Sequence, residues 1–369
     1  MPSQQLESST AALDGRERVR RMFERRDHDR VPRHESFWSD TIERWQREGL
    51  LGDRQTVLDL LGSDFHSLCW IWPKAFPGEE RLVWQDHETR VIRDENGKLV
   101  RYWKGRMGTP EHLGFECDSR EKWERVFKPA LLDGGLQCDP NAIARSYRQG
   151  RRDGKWCHLT AAESFEETRS LMGDETTLIA MADDPDWVVD VSRTFTDVVL
   201  RNLDAVMSTG IQPDGLWVYG DMAFKTATMC SPSMYRELIW PDHKRLADWA
   251  HVHRMKLIYH TDGDVNGVMD LYREAGFDCL QPLEVKASMD VRKLLPKYGE
   301  DLAFFGNIDV MVMATNDLDL IETEISSKFA AGKATRGYAY HSDHSVPPSV
   351  SWPTFQGIIE LVKKHGRYE

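Results

Sequence analysis

His260, Asp262 and Asp264 fall within one short stretch, "KLIYHTDGDVNGVMDLYREAG" (256–276), where an apolar run gives way to a helical pattern. An imidazole and two carboxylates at a strand end can hold a metal, move protons, or cap the following helix. Spacing sorts them. His260 and Asp262 stand at i and i+2, so on a strand both leave the same face, whereas Asp264 falls where a carboxylate serves the free amides of a first helical turn. Other apolar segments also end in polar groups: Glu35, Glu163, Asp221, Glu284, Asn307, Asp309, His341 and His344. Singly, each has a structural use as a cap or a hydrogen-bonded imidazole. Jointly, a His, a carboxylate and a second His from separate strands form an open N/O site for a divalent ion, zinc among them.

Such convergence needs an architecture that gathers strand ends. Short apolar segments at 31–37, 64–72, 155–163, 214–221, 256–263, 279–284, 302–309 and 337–344 alternate with helical patterns. Ser231 with Pro232 marks a helix start, and Gly276 and Gly299 mark helix ends. The alternation predicts an α/β fold, a (β/α)8 TIM barrel whose chemistry collects at the C-terminal ends of the strands. Residues 79–106 alternate apolar and polar around the turn signal "DENGK", which predicts an inserted β-hairpin. Val19, Met22 and Phe23 share one face of a helix. The expected organisation is a flexible N-terminus over 1–17 and a single barrel domain over 18–369.

Composition narrows the function. The net charge of −12 argues against nucleic acid or an anionic membrane as partner, because phosphate binding needs clustered Lys and Arg. A small molecule fits better. An apolar share of 40% with 13 tryptophans supplies a large core. No apolar run approaches the ~18 residues of a membrane helix, and the first residues lack a signal-peptide core, so a cytoplasmic location is expected. The six cysteines include no C-x-x-C pair, which leaves a thiolate zinc site without a local signature.

The stretches "SPSMYRELIWPDHKRL", "YHTDGDV", "GFDCLQPLEVKASMDVRKLLPKYG", "FFGNID" and "GYAYHSDHSVPPSVSWPTF" resemble the uroporphyrinogen decarboxylase superfamily, which includes cobalamin-dependent methyltransferases. The resemblance runs from about Arg18 to the end of the chain. True decarboxylases of the family carry arginines shortly after the first strand's proline and a tyrosine after a "GPF" motif. This chain has "RVPRHESFWSDTIERW" and "AAESFEETRSLMG" there, without the arginine pair or the tyrosine. The methyltransferase branch holds zinc on a His-x-Cys pair and a later cysteine. Here His260 matches the histidine, while Asp262 and His344 stand at the cysteine positions, a harder and less negative ligand set.

The resemblance implies a corrinoid-dependent methyltransferase that demethylates a small methylated compound and passes the methyl to a corrinoid on a partner protein. It also implies homodimers. The expected metal ligands are His260, Asp262 and His344, with Glu284, Asp221 and His341 as catalytic groups. Glu35, Trp38, Glu163 and Asn307 are expected to bind substrate, and Phe37, Trp38, Trp70 and Trp72 either wall its pocket or belong to the core. A metal-dependent decarboxylase or lyase acting on a small acid is the alternative reading, and a non-catalytic binding barrel the second.

Overall fold

A computed structural model describes residues 13–105 and 110–368. Eleven strands are formed among them: β1 (Phe65–Ser67), β2 (Arg81–Gln85), β3 (Thr89–Arg93), β4 (Lys98–Trp103), β5 (Glu111–Phe115), β6 (Trp156–Ala162), β7 (Gly215–Tyr219), β8 (Lys256–Thr261), β9 (Cys279–Pro282), β10 (Ala303–Phe305) and β11 (Tyr338–Ala339). Seven build one sheet in the order β1-β6-β7-β8-β9-β10-β11, with every pairing parallel. Helices fill the connections, as parallel pairing demands. The fold is TIM-barrel-like.

The eighth expected strand, 31–37, is present as single bridges instead of a ladder. Arg33 pairs with Tyr340, and Asp64 N–H donates to the Arg33 carbonyl, so the segment spans the space between β11 and β1. A side chain replaces part of the missing ladder. The buried Glu35 carboxylate accepts the Ser342 hydroxyl at 2.6 Å and the Ser342 amide at 3.2 Å.

Arg106, the last residue of the expected hairpin, lies outside the described residues, and the strands β2 to β5 form an antiparallel sheet in the order β2-β3-β4-β5. The expected hairpin is its β3–β4 pair, turning at Asp94–Gly97, with a further strand on each side.

Two apolar clusters hold the fold. The larger lies between strands and helices, and includes Leu159, Leu216, Leu257 and Phe355. The smaller fills the sheet's concave interior with Phe65, Trp156, Ile258, Phe305 and Ala339, and Val19, Met22 and Phe23 close it from below. Those three come from the helix Gly15–Phe23, capped by Asp14, whose carboxylate accepts Glu17 N–H. The folded part therefore begins before residue 18, while residues 1–12 lie outside the described residues. No helix of the described chain is long and apolar enough to cross a membrane.

Candidate functional site

Strand register brings the first three groups together. Tyr219 of β7 lies opposite His260 of β8, so two residues further on Asp221 faces Asp262. Ligand atoms of Asp221, His260 and Asp262 all lie within 4.8 Å of one another. Glycine makes the approach possible. Gly263 adopts φ 86°, and a Cβ there would collide with the Ala223 carbonyl, so a larger residue would push the two loops apart.

Each member is held by defined donors. Asp221 Oδ1 accepts Asp262 N–H at 3.0 Å, and its Oδ2 accepts the Tyr219 hydroxyl at 3.3 Å. The Tyr219 ring stacks on His260 with centroids 4.8 Å apart. His260 Nδ1 bonds the Gln281 side-chain oxygen, which can only accept, so Nδ1 carries a proton, and in the neutral ring Nε2 presents the lone pair. That Nε2 lies 3.9 Å from Asp221 Oδ1. Asp262 Oδ1 is buried without any hydrogen-bond partner. Burial pushes the Asp262 carboxyl up to about 6, against the pull of His260 and with repulsion from Asp221 and Glu284. An orphaned buried carboxylate oxygen beside an imidazole lone pair and a second carboxylate suits a divalent cation.

His344 is not a member of this group among the described residues. Its ring stacks on Trp38, with centroids 5.7 Å apart. Asp221, expected as a catalytic group, is the residue whose ligand atom lies within 4.8 Å of those of His260 and Asp262. His341 is buried, with Nδ1 donating to the Ser342 carbonyl at 2.6 Å and Nε2 facing Ser36 Oγ at 3.2 Å. Burial drops its imidazole to about 4, so the ring is neutral. Burial raises Glu35 to about 7 against the donors from Ser342. Both line a cleft of about 520 Å³ that also contains Ser36, Trp70, Tyr219 and His260.

Three other expected residues hold structure. Glu163 caps the helix Ser164–Met172 and bonds His243 Nε2 at 2.7 Å, with neither partner's side chain exposed. Asn307, at φ 72°, donates to the Leu283 and Met289 carbonyls and accepts Val291 N–H, so its amide is fully engaged by backbone. Glu284 accepts Gly263 N–H at 2.9 Å and Lys286 Nζ at 2.7 Å, bracing the loop that carries Asp262. Asp264 accepts Asn266 N–H at 3.0 Å in a local turn, but the short helical turn Asn266–Val268 starts after Val265 without a side-chain cap, so the capping role expected of Asp264 is not met.

Sequence reasoning missed Glu166, Arg169, Tyr219 and Gln281. Glu166 accepts Asp221 N–H at 3.3 Å and Arg169 at 3.0 Å, and burial pushes it up to about 7 despite that guanidinium. Tyr219 and Gln281 carried a usable signal, since each precedes a singled-out residue on an inward-facing strand position. Glu166 carried none, because helix periodicity does not say which polar residue reaches a neighbouring strand end.

No curated protein sequence matches the chain. Among solved structures, a methyltransferase from Methanosarcina mazei superposes with a TM-score of 0.68 at 12% identity, covering 95% of this chain and 99% of that one. A chitinase from Chromobacterium violaceum reaches a TM-score of 0.38 at 8% identity, covering 90% and 99%. Residues 159–365, more than half of the chain and the part that contributes Asp221, His260 and Asp262, match the family described as Uroporphyrinogen decarboxylase (URO-D), and the chain belongs to that family.

Proposed function

We propose that this protein is a methyltransferase that takes a methyl group from a small methylated compound and passes it to a corrinoid carried by a partner protein. The observation that carries the reading is the orphaned Asp262 oxygen within reach of Asp221 and His260. Asp221, His260 and Asp262 would hold a divalent ion, zinc by the donor set, which when bound supplies a Lewis acid to polarise a poor oxygen or nitrogen leaving group. The shared fold with a methyltransferase over nearly the full chain supports the same reading.

The chain's own residues prepare the site. Gln281 takes the Nδ1 proton's hydrogen bond, so that the neutral His260 ring turns its Nε2 lone pair to the cluster. Tyr219 orients both His260, by stacking, and Asp221, by its hydroxyl. Glu284 holds Gly263 and with it the Asp262 backbone. Trp38 and His344 stack as one surface. Homodimers, and a corrinoid partner at the strand-end face, belong to this proposal.

Decarboxylation of a substrate with many carboxylates fits less well. Arg54, at the exposed rim, is the one Lys or Arg among the described residues lining the cleft. Several carboxylates there would meet little compensating charge.

The test is methylation of cob(I)alamin, followed by absorbance, with a panel of methyl ethers and methylamines and with metal content measured on the same sample. Methylcobalamin formation that disappears on chelation and returns with zinc is expected. No transfer from any donor, or transfer indifferent to thorough chelation, would count against the reading.

A further inference from the structure

The floor of the cleft contains a histidine for which the proposed chemistry has no use. His158, on β6, is 3% exposed and lines the cleft. Its Nδ1 lies 3.2 Å from Thr160 Oγ1, which lies 3.2 Å from Ser67 Oγ, which donates to the Cys69 carbonyl at 3.4 Å. A carbonyl only accepts, and that sets the direction of the whole chain. Ser67 gives its proton to Cys69, so it accepts from Thr160, and Thr160 in turn accepts from His158 Nδ1–H. Burial holds the imidazole down at about 3, so at neutral pH the ring has one proton, which this chain places on Nδ1. Nε2 is left as a bare lone pair. It is buried and has no partner.

The surroundings define what would satisfy it. The Trp217 ring lies 5.1 Å from His158, and the rings of His34 and His341 lie 6.1 Å from each other nearby in the same cleft. Burial keeps His34 and His341 neutral as well. The floor thus joins the flat Trp217 face and uncharged imidazoles to His158 Nε2, an acceptor without a partner, with the Glu35 carboxyl in the same cleft. A carboxylate end would set acceptor against acceptor, while an O–H on a ring would fill the vacant position. The cleft volume, about 520 Å³, lies in the range that takes ring-sized ligands.

We propose that His158 is a substrate-recognition residue whose Nε2 accepts a hydrogen bond from a hydroxyl group at the far end of an uncharged aromatic substrate. The orientation, with the methyl-bearing end toward Asp221, His260 and Asp262, rests on the function proposed above. The hydroxyl subsite itself does not.

Phenol and anisole test it, because they share a ring and differ in the O–H donor. Each is titrated calorimetrically into the full-length protein with no corrinoid present, and benzoate serves as the charged control. Phenol is expected to bind at least about tenfold more tightly than anisole, since a site built to bond a hydroxyl rejects the analogue without one. Benzoate is expected to bind more weakly than either. His158→Phe keeps a flat ring and removes the acceptor, so it should bring phenol and anisole close to parity. Thr160→Val should lower the ratio by releasing the His158 tautomer. The ¹⁵N resonance of His158 Nε2 should move with phenol and stay with anisole, which a purely structural histidine would not do.

Equal binding of the two probes by the wild type, or a preference unchanged in His158→Phe, overturns the proposal. If that variant does not fold, the wild-type ratio and the ¹⁵N shift decide. His158-dependent phenol binding without any methyl transfer would remove the proposed reaction and keep the subsite. Methyl transfer without a phenol preference would do the reverse.

Discussion

His260 Nε2 stands 3.9 Å from Asp221 Oδ1, while the other nitrogen of the same ring is bonded to Gln281. Two neighbouring strands, β7 and β9, thus aim one imidazole supplied by the strand between them. The ring's position and its tautomer are both decided before any ligand arrives.

Removing a member of the cluster should remove the metal. His260→Ala and Asp262→Ala are each expected to lose bound zinc on dialysis, measured by elemental analysis, with the thermal midpoint little changed. His344→Ala should retain the metal, because that ring stacks on Trp38 and lies outside the group of three. Zinc loss in His344→Ala with retention in Asp221→Ala would restore the ligand set expected from sequence.

Gln281 is hydrogen-bonded to the cluster through His260. Gln281→Leu should weaken metal affinity by roughly 10–100-fold, as loss of an outer hydrogen bond to a ligand imidazole does. Competition with a chromogenic chelator reads the change. An unaltered affinity would mean that the tautomer is set by something else.

Stability should depend on pH in two opposed windows. His158 falls from 6.5 to about 3 and His341 to about 4, so between pH 6.5 and those values the unfolded chain takes up protons that the folded one does not. Stability is therefore lost as pH falls through that range. Glu35 rises from 4.5 to about 7, so its folded form holds a proton that the unfolded one releases, and its contribution is lost as pH climbs from 4.5 to 7. Urea unfolding at pH 5, 6, 7 and 8 should show Glu35→Gln gaining on wild type as pH rises. A constant difference across the series would contradict it.

Asn307→Ala should cost about 2–4 kcal/mol of stability, because it leaves two buried carbonyls and one buried amide without partners and puts Ala at a left-handed position. Asp264→Ala should cost less, about 0.5–1.5 kcal/mol for one lost hydrogen bond, and spare the metal. Denaturant melts compare the two. A substrate-binding role for Asn307 would instead appear as a raised KM at unchanged stability.

The sequence by itself determined the parallel α/β architecture, because apolar runs of strand length alternating with capped helices leave few other ways to bury both faces of the sheet. It also determined that His260 and Asp262 share a face, since the period of two is local. It could not determine the third partner. Asp221 comes within 4.8 Å of them through the Tyr219–His260 register and the close loop approach at Gly263, while the His344 ring stacks on Trp38, and both placements depend on contacts between segments far apart in the chain. Nor could it tell Glu163 and Asn307, consumed by a helix cap and by loop carbonyls, from groups that face the cleft. Residue type states what a side chain is able to bond. Only the packed neighbours, arriving from distant segments, decide which of those bonds are already made.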